Sequence, residues 1–235
     1  MSKSECSRRG AVSHSSFGDT LASLRIGALT PAMGLDMKRW VLTALCILGW
    51  CASISAQTPE AWPLVDGKFG TAWDARLGSL AAAARQEYVR PPLTVECWAK
   101  LDSKERYNIL VANETKASAT HWELFTTPRD GILHAFLPGR KPNHVHTKAD
   151  IADGKWHCVA MIMEETRVRL YVDGQEKANE GVTATPAQGA PGPLATGALV
   201  EGNLVCDGAI DEVRLSKCVR QIGEPPSAEF VADEH

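Results

Sequence analysis

Residues 154–174, GKWHCVAMIMEETRVRLYVDG, decide the fold class of this chain. A long apolar run over 155–164 is followed by 167–172, where apolar and polar residues alternate. A period of two is typical of a half-buried β-strand. Asp173-Gly174 then predicts a tight hairpin turn, because glycine adopts positive φ at little cost. The stretch therefore predicts two antiparallel strands and a third that returns over 175–183.

The same period recurs on both sides of this hairpin. Short apolar or alternating runs predict further strands at 93–99, 108–112, 121–126, 131–137, 144–147, 195–200 and 209–216. Strands at such short spacing, separated by turn residues, are typical of an antiparallel sandwich or barrel. One segment differs: 72–88 contains LGSLAAAARQEY, whose helix propensity predicts a short helix or a loop. The polar end of the chain, 223–235, is predicted to be a flexible tail.

Composition limits the classes of protein that this chain fits. It has 235 residues, 25 basic and 28 acidic side chains, and a pI near 6.2. That length suggests one domain or at most two. The net negative charge argues against a protein that binds nucleic acid by neutralising phosphates. With 23% charged and 6% aromatic residues, the composition is that of a globular protein.

Residues 37–56, MKRWVLTALCILGWCASISA, have the order of a secretory signal peptide: basic residues, a short apolar helix and small residues. We expect cleavage after Ala56 and a secreted, periplasmic or cell-surface protein that does not bind the membrane after cleavage. The alternative is an uncleaved anchor, although the apolar run is shorter than the roughly 20 residues of a membrane span. Met37 is then the better start, and 1–36 is interpreted as an upstream leader from a misassigned start codon or as a disordered leader.

Removal of residues 1–56 leaves 179 residues with a formal charge of −6 and four of the seven cysteines. An even number of cysteines in an exported protein permits two disulfides, with three connectivities. We expect a Cys206–Cys218 bridge, which requires the chain to double back between the two positions. Cys97 and Cys158 are interpreted as a second pair or as buried thiols.

Four motifs in order resemble the laminin G-like branch of the concanavalin A-like jelly rolls. They are FGTAW at 69–73, LTVECWAK at 93–100, GKWHCVA at 154–160 and GAIDEVR at 208–214. The resemblance covers about 64–220 and places the domain at 57–222. It implies an all-β jelly-roll sandwich of two stacked antiparallel sheets, one of them concave. The sequence in and around these motifs also resembles modules in exported proteins of planctomycete-type bacteria.

The resemblance implies a non-catalytic module that binds a carbohydrate or a cell-surface partner. Glycosidases of this fold carry paired acids, often as Glu-x-Asp-x-x-Glu, and the sequence has no such run. Asp211 and Glu212 are neighbours on a predicted strand, so we expect them on opposite faces, where they cannot share one glycosidic bond. There is also no GxSxG, P-loop or GxGxxG motif. A structural or protein-interaction module is the alternative, and a glycosidase or lyase is the third possibility.

Aromatic side chains are the first candidates for a sugar site, because sugar rings stack their apolar faces on them. Trp98 and Trp122 lie on alternating strands and are predicted to face the concave sheet. His121 and Glu123 flank Trp122 and complete the predicted ligand-binding set. The alternative for both tryptophans is a place in the sandwich core.

Two metal sites are considered. The resemblance implies calcium at the rim of the sandwich, with Asp66, Asp150 and Asp207 as candidate ligands, although the sequence has no dense DxDxD loop. His144 and His146 share one face of an extended segment and would form a zinc site with a third histidine, His134 or His157. The alternative is a pair of exposed polar histidines. No cofactor other than calcium is expected.

Overall fold

The described residues of this computed structural model, 63–184 and 191–233, form β-strands joined by turns and two short 3-10 helices. The helices cover Ala75–Leu77 and Gln86–Tyr88. No helix in these two ranges is long and apolar enough to cross a membrane. The strands are β1 Leu64–Asp66, β2 Thr71–Asp74, β3 Leu80–Ala82, β4 Leu93–Leu101, β5 Asn108–Asn113, β6 Trp122–Thr126, β7 Ile132–Phe136, β8 Arg140–Lys141, β9 His144–Asp150, β10 Trp156–Met163, β11 Arg167–Val172, β12 Gln175–Gly181, β13 Thr183–Ala184, β14 Leu194–Thr196 and β15 Gly208–Ser216.

Two antiparallel sheets stack to form the sandwich. The seven-stranded sheet has the order β1-β2-β15-β4-β10-β11-β12, and the six-stranded sheet has the order β3-β14-β5-β6-β7-β9. β8 and β13 make a small separate pair. Strands that are distant in the chain lie side by side, since β4 pairs with both β10 and β15. The predicted all-β jelly-roll sandwich is confirmed.

The hairpin at 154–174 has the geometry that its sequence predicts. β10 and β11 pair in register from Val159–Val172 to Met163–Val168. Asp173 and Gly174 both have positive φ, 49° and 76°. Two successive residues with positive φ suit the tight turn whose twist matches that of the flanking strands. The turn therefore fixes the register of the central pair of strands.

The main core lies between the two sheets and follows the alternation of each strand. Leu93, Val95, Cys97 and Ala99 of β4 point into it, as do Val159 and Met161 of β10, all nearly or fully buried. From the six-stranded sheet come Leu110, Trp122, Leu124, Leu133, Ala135 and Val145. Removal of this apolar surface from water is the main stabilising contribution to such a fold.

The prediction of a helix or loop over 72–88 is wrong in part. β2 ends at Asp74, a 3-10 turn follows, Leu80–Ala82 forms β3, and a second 3-10 turn covers Gln86–Tyr88. β3 pairs with β14, with Leu80 opposite Thr196. Helix propensity is a weak preference, and here the free edge of the six-stranded sheet overrides it.

The flexible tail predicted for 223–235 stays a prediction, and in the structure its described residues lie against the seven-stranded sheet. Val219 and Ile222 pack on Ala160, Ile162 and Tyr171, which face outward from the seven-stranded sheet. Phe230 is 4% exposed and packs on Trp98 and Cys158. Residues 217–233 therefore cover the outer face of this sheet, which we call the covered face. The predicted leader at 1–36 and signal peptide at 37–56 lie outside the described residues.

Candidate functional site

The two tryptophans predicted to bind a ligand do not line an open surface. Trp122 points into the core between the sheets, and its indole N–H donates a hydrogen bond to the Tyr88 carbonyl at 2.7 Å. Trp98 lies on the covered face beneath Phe230, and the ring of Phe69 meets it edge-on at 5.9 Å. Both indoles are 4% exposed or less, so the predicted stacking role is wrong for each of them.

His121 and Glu123, by contrast, come together beside the outer face of the six-stranded sheet. His121 Nε2 lies 3.4 Å from Glu123 Oε2, and both side chains are buried. His121 Nδ1 is within 3.2 Å of the Glu114 carbonyl. The separation of 3.4 Å is long for a hydrogen bond, and neither Nε2 nor Oε2 has another partner in the described part of the chain. The two residues are thus a close polar pair without a strong mutual bond.

Lys116 covers this pair from the solvent side. Its ammonium nitrogen donates to Glu123 Oε1 at 2.9 Å and lies 5.4 Å from the centre of the Phe136 ring. Burial raises the pKa of the Glu123 carboxyl, but His121 and Lys116 outweigh it and hold the pKa below its ordinary value. Glu123 is therefore a carboxylate that fixes the partly exposed ammonium of Lys116 above an aromatic ring.

The loop that carries Lys116 is held by a buried carboxylate. Glu114, in the left-handed region at φ 60°, accepts hydrogen bonds from the hydroxyls of Ser118 and Thr120. It also accepts from the backbone N–H of Gly192 at 2.9 Å. The backbone N–H of Lys116 donates to Glu201 at 2.7 Å. The position of Lys116 thus depends on contacts from two neighbouring loops.

A continuous group of rings lies next to Lys116 on the same outer face. On β7 and β9 the residues Leu133, Ala135 and Val145 point into the core, so their neighbours point outward. The outward rings, with Phe125 of β6, are what we call the histidine face: Phe125, His134, Phe136, His144 and His146. Ring centres are 4.7 Å apart for Phe136–His144, 5.4 Å for Phe125–His134 and 5.2 Å for His134–His146, the last pair being stacked. Three adjacent strands therefore present one aromatic surface.

Exposure increases across the histidine face toward the edge of the sheet. Phe125 is buried, His134 and Phe136 are half-buried, and His144 and His146 on the edge strand β9 are exposed. Tyr107, 42% exposed, extends the group with its ring 6.0 Å from that of Phe125. The described residues that cover the other outer face, 217–233, do not pack here. The histidine face is thus an aromatic surface that solvent reaches.

The predicted metal ligands do not form a metal centre in the structure. His134, His144 and His146 do share one face, whereas His157 contacts Asp153 and Asp173 instead. Asp66 ends β1, Asp150 ends β9 and Asp207 directly precedes β15. Asp150 pairs with Lys104, and Asp207 accepts a hydrogen bond from Ser103. Among the described residues, no group of three or more His, Cys, Asp or Glu side chains is arranged to hold a metal ion. Calcium binding stays a prediction that this arrangement does not support.

The expected Cys206–Cys218 bridge is not formed, because Cys206 carries a free thiol. Nine residues of β15 lie between the two positions and hold them roughly 25 Å apart, far beyond the reach of a disulfide. Cys97 and Cys158 are free and buried as well. They point to opposite faces of the seven-stranded sheet, Cys97 into the core and Cys158 beneath Phe230, so they cannot pair with each other.

Asp211 and Glu212 depart from the expected alternation. Ile210 and Val213 both point into the core, and the register of β15 shifts between 211 and 214, with Glu212 at φ 49°. This β-bulge turns both carboxylates to the covered face. Asp211 accepts from the backbone N–H of Phe69, and Glu212 accepts from that of Phe230. The prediction of opposite faces is wrong, and both acids bind backbone groups of covering segments.

Sequence reasoning identified His121 and Glu123 but missed Lys116, Phe125 and Phe136. The alternation in 131–137 was the available signal, because it places His134 and Phe136 together on the face opposite Leu133 and Ala135. Which of the two faces is open depends on the other segments that pack there, and the local pattern carries no information about them.

Residues 78–223 match a family model, Laminin_G_3, described as the concanavalin A-like lectin/glucanases superfamily. No curated protein matches this chain. Among solved structures, it is similar to domains LG4-5 of the mouse laminin α1 chain, with 19% identity and a TM-score of 0.46 over 59% of this chain and 38% of that one.

Two bacterial structures show a comparable likeness. One is the CBM40 of the Ruminococcus gnavus IT-sialidase bound to α2,3-sialyllactose, with 14% identity and a TM-score of 0.48 over 59% of this chain and 86% of that one. The other is domain 4 of AbnA, a GH43 extracellular arabinanase of Geobacillus stearothermophilus, in complex with arabinotriose. It has 20% identity and a TM-score of 0.49 over 70% of this chain and 77% of that one. At these identities the likeness concerns the fold.

Proposed function

Because this chain belongs to the concanavalin A-like lectin/glucanases superfamily, we propose that it is a non-catalytic carbohydrate-binding module. Its ligand lies across the histidine face. The observation that carries the proposal is the continuous, partly exposed ring surface of three adjacent strands, with the ammonium of Lys116 fixed at its end. The module acts outside the cell, as the signal-like sequence at 37–56 suggests.

The rings supply the stacking part of such a site. The C–H groups of a sugar ring form an apolar face that packs on an aromatic ring, while its hydroxyls remain free for hydrogen bonds. Phe136 and His144 are adjacent on paired strands and accessible, so a sugar residue stacks on them. His134 and His146 are the next ring pair along the same strands and lie where a second sugar residue of a chain would stack.

Lys116 supplies the polar part. Its ammonium carries three N–H donors, and Glu123 Oε1 accepts from one of them. The others are directed to a ligand that lies on Phe136. Because Glu123 and the loop contacts hold Lys116 in place, little side-chain freedom is lost when the ligand binds.

A hydrolytic function has less support from this surface. A glycosidase needs two carboxyl groups roughly 5–10 Å apart on either side of the scissile bond. Glu123 is buried and paired, and Asp130, which acts on His134, lies in the turn beyond the opposite end of β6. Asp211 and Glu212, which are adjacent, lie beneath the tail on the other sheet.

A glycan array probed with the purified chain tests the proposal. We expect binding to a defined set of glycans, and Phe136→Ala should weaken it about fivefold, since a lost stacking contact is worth roughly 1 kcal/mol. Leu77→Ala is the matched control, because Leu77 is 70% exposed on a 3-10 helix far along the chain from these strands. Absence of binding to any glycan, or equal binding by Phe136→Ala, would contradict the proposal. Capture of a surface protein without glycan binding would favour a protein-interaction module.

A further inference from the structure

The outward side chains of β7 and β9 continue the histidine face beyond its rings. They stand opposite each other in three cross-strand pairs: Phe136–His144, His134–His146 and Ile132–Asp150. Ile132 is half-buried, like His134 and Phe136, so the row on β7 stays partly accessible along its whole length. Four residue steps separate Phe136 from Ile132, which is roughly 13 Å along the strand. The surface is therefore longer than one sugar ring, and it follows one line along two neighbouring strands.

The far end of this surface carries a second lysine that is held by a carboxylate, like the end at Lys116. Lys104 donates a hydrogen bond to Asp150 Oδ2, and Asp150 Oδ1 accepts from the backbone N–H of Ala152 at 3.0 Å. The carbonyl of Lys104 accepts from the backbone N–H of Arg129 at 2.7 Å, which ties its loop to the turn before β7. Both charged groups of the pair are partly exposed. The rings thus lie between two lysines, each of them fixed by a carboxylate.

The two ends offer hydrogen bonds that suit sugar hydroxyls. A hydroxyl donates one hydrogen bond and accepts others. Lys104 and Asp150 place a donor beside an acceptor, so this pair matches two neighbouring hydroxyls of one sugar residue. At the opposite end Lys116 supplies donors, since the carboxylate of Glu123 behind it is buried. Both ends therefore suit hydroxyl groups, and the surface between them suits the apolar side of sugar rings.

The described segments that border the histidine face carry slightly more acidic than basic side chains, with histidine counted as neutral. These segments are 103–107, 114–123, 127–131, 144–150 and 197–206. Their acids are Glu105, Glu114, Glu123, Asp130, Asp150 and Glu201, and their bases are Lys104, Arg106, Lys116, Arg129 and Lys148. A carboxylate on a ligand near Asp130 or Asp150 meets a charge of its own sign, which is unfavourable at close range. An uncharged ligand is therefore the better match.

We infer that the glycan bound at the histidine face is an uncharged linear chain that lies along β7 and β9, from Lys116 to the Lys104–Asp150 pair. The inference rests on the proposed function and names its ligand class. One sugar residue contacts each of the three cross-strand pairs. The hydroxyls of the third sugar residue bind to Lys104 and Asp150, which are thereby assigned to the site.

A chain-length series tests how far the site extends. Isothermal titration calorimetry of the purified chain compares the best glycan from the array in lengths of one to five sugar residues. Affinity should rise about fivefold with each added residue up to three, since one stacking contact is worth roughly 1 kcal/mol, and then level off. Affinity that is complete with one sugar residue, or that keeps rising beyond four, would overturn the site of three sugar residues.

Matched glycans test the charge of the ligand. A neutral oligosaccharide and the uronic acid oligomer of the same linkage and length are compared at pH 7.5. The neutral chain should bind about fivefold more tightly, because like charges roughly 4 Å apart in water repel by about 1 kcal/mol. Asp150→Asn keeps an acceptor for Ala152 but removes the charge, so it should narrow this difference. Equal or tighter binding of the uronic acid oligomer would overturn the uncharged ligand and leave the carbohydrate module intact.

A substitution at Lys104 tests the far end of the site. Lys104→Met keeps the aliphatic stem and removes the ammonium, so the trisaccharide should bind about fivefold less tightly while the monosaccharide is unaffected. Lys155→Met is the matched control, because Lys155 makes an exposed ion pair of the same kind, with Asp153, beside the other sheet. Unchanged affinity in Lys104→Met, or an equal loss for both sugars, would overturn the role of Lys104. Absence of binding to every glycan of either charge would overturn the proposed function together with this inference.

Discussion

The two outer faces of the sandwich differ in how far other described segments of the chain cover them. The outer face of the seven-stranded sheet is closed by residues 217–233, so Trp98, Cys158 and Ile162 become a second buried layer. The outer face of the six-stranded sheet keeps the histidine face accessible to solvent. Both faces carry aromatic and charged side chains. Because both faces carry similar side chains, it is the covering segment 217–233 that distinguishes the structural face from the candidate binding face.

Charges on the covered face find partners within the chain. Arg214 makes two hydrogen bonds to Glu96, at 2.8 and 2.9 Å, and its guanidinium lies 4.0 Å from the centre of the Phe230 ring. Arg220 pairs with Asp233 from the tail. On the histidine face, three histidines lack such partners among the described residues.

The largest expected effect concerns the Cys158 thiol, which reports whether the covered face stays closed. Burial, with Glu96 and Asp173 nearby, raises the pKa of Cys158 to about 12. Because the thiolate is the reactive form, alkylation at pH 8 should be more than about a hundredfold slower in the folded chain than in urea. Mass spectrometry of iodoacetamide-treated protein measures this. Equal rates in both states would show that the tail does not protect the face.

A second prediction removes the ring that closes this face. Phe230→Ala should lower the free energy of unfolding by about 3 kcal/mol, since a buried ring and its contact with Arg214 are lost. Urea denaturation measures it, and Cys158 should become more reactive at the same time. Val231→Ala is the control, because Val231 is 69% exposed and should change stability by less than about 0.5 kcal/mol. Similar values for both variants would mean that the tail is not docked.

A third prediction tests the polar end of the histidine face. Glu123→Gln keeps the shape of the side chain but removes the charge that fixes Lys116, so glycan affinity should fall several-fold, toward about tenfold. Titration calorimetry with the best glycan from the array measures it. Glu180→Gln, at an exposed position of β12 on the other sheet, is the matched control. Unchanged affinity in Glu123→Gln would remove Lys116 from the site.

The smallest expected effect is on stability in acid. Burial and His146 lower the pKa of His134 in the folded chain, so the unfolded chain binds protons more readily once the pH falls below about 6.5. Acidification therefore lowers the free energy of unfolding. Melting temperatures at pH 7.5 and 5.0 should differ less in His134→Asn than in the original chain. A drop of equal size in both would show that His134 does not carry this proton linkage.

The sequence allowed the central strands to be predicted because their signals are local. Alternation over 167–172 and the Asp173-Gly174 turn depend on neighbouring residues only, and the structure has both. β3, β8 and β13 have two or three residues each and exist through pairing with distant segments. Their own sequences carry no period that could reveal them, and in β3 the alanines favoured a helix.

The candidate site was predicted less well, for two physical reasons. Alternation separates the faces of a strand but does not tell which is inside, so Trp122 was placed outward although it packs in the core. The bulge at Glu212 reverses the alternation without a residue type that marks it. The stacking of His134 on His146 further requires the β7–β9 register, which only the folded sheet provides.

Nuclear magnetic resonance of the isotope-labelled chain, titrated with the best glycan from the array, tests the central claim most directly. The account predicts that chemical-shift changes concentrate at Lys116, Phe136, His144 and His146, while Trp98 and Phe230 of the covered face stay unchanged. Changes at Trp98 and Phe230 without changes at the histidine face would contradict it, because the ligand would then bind where the tail packs.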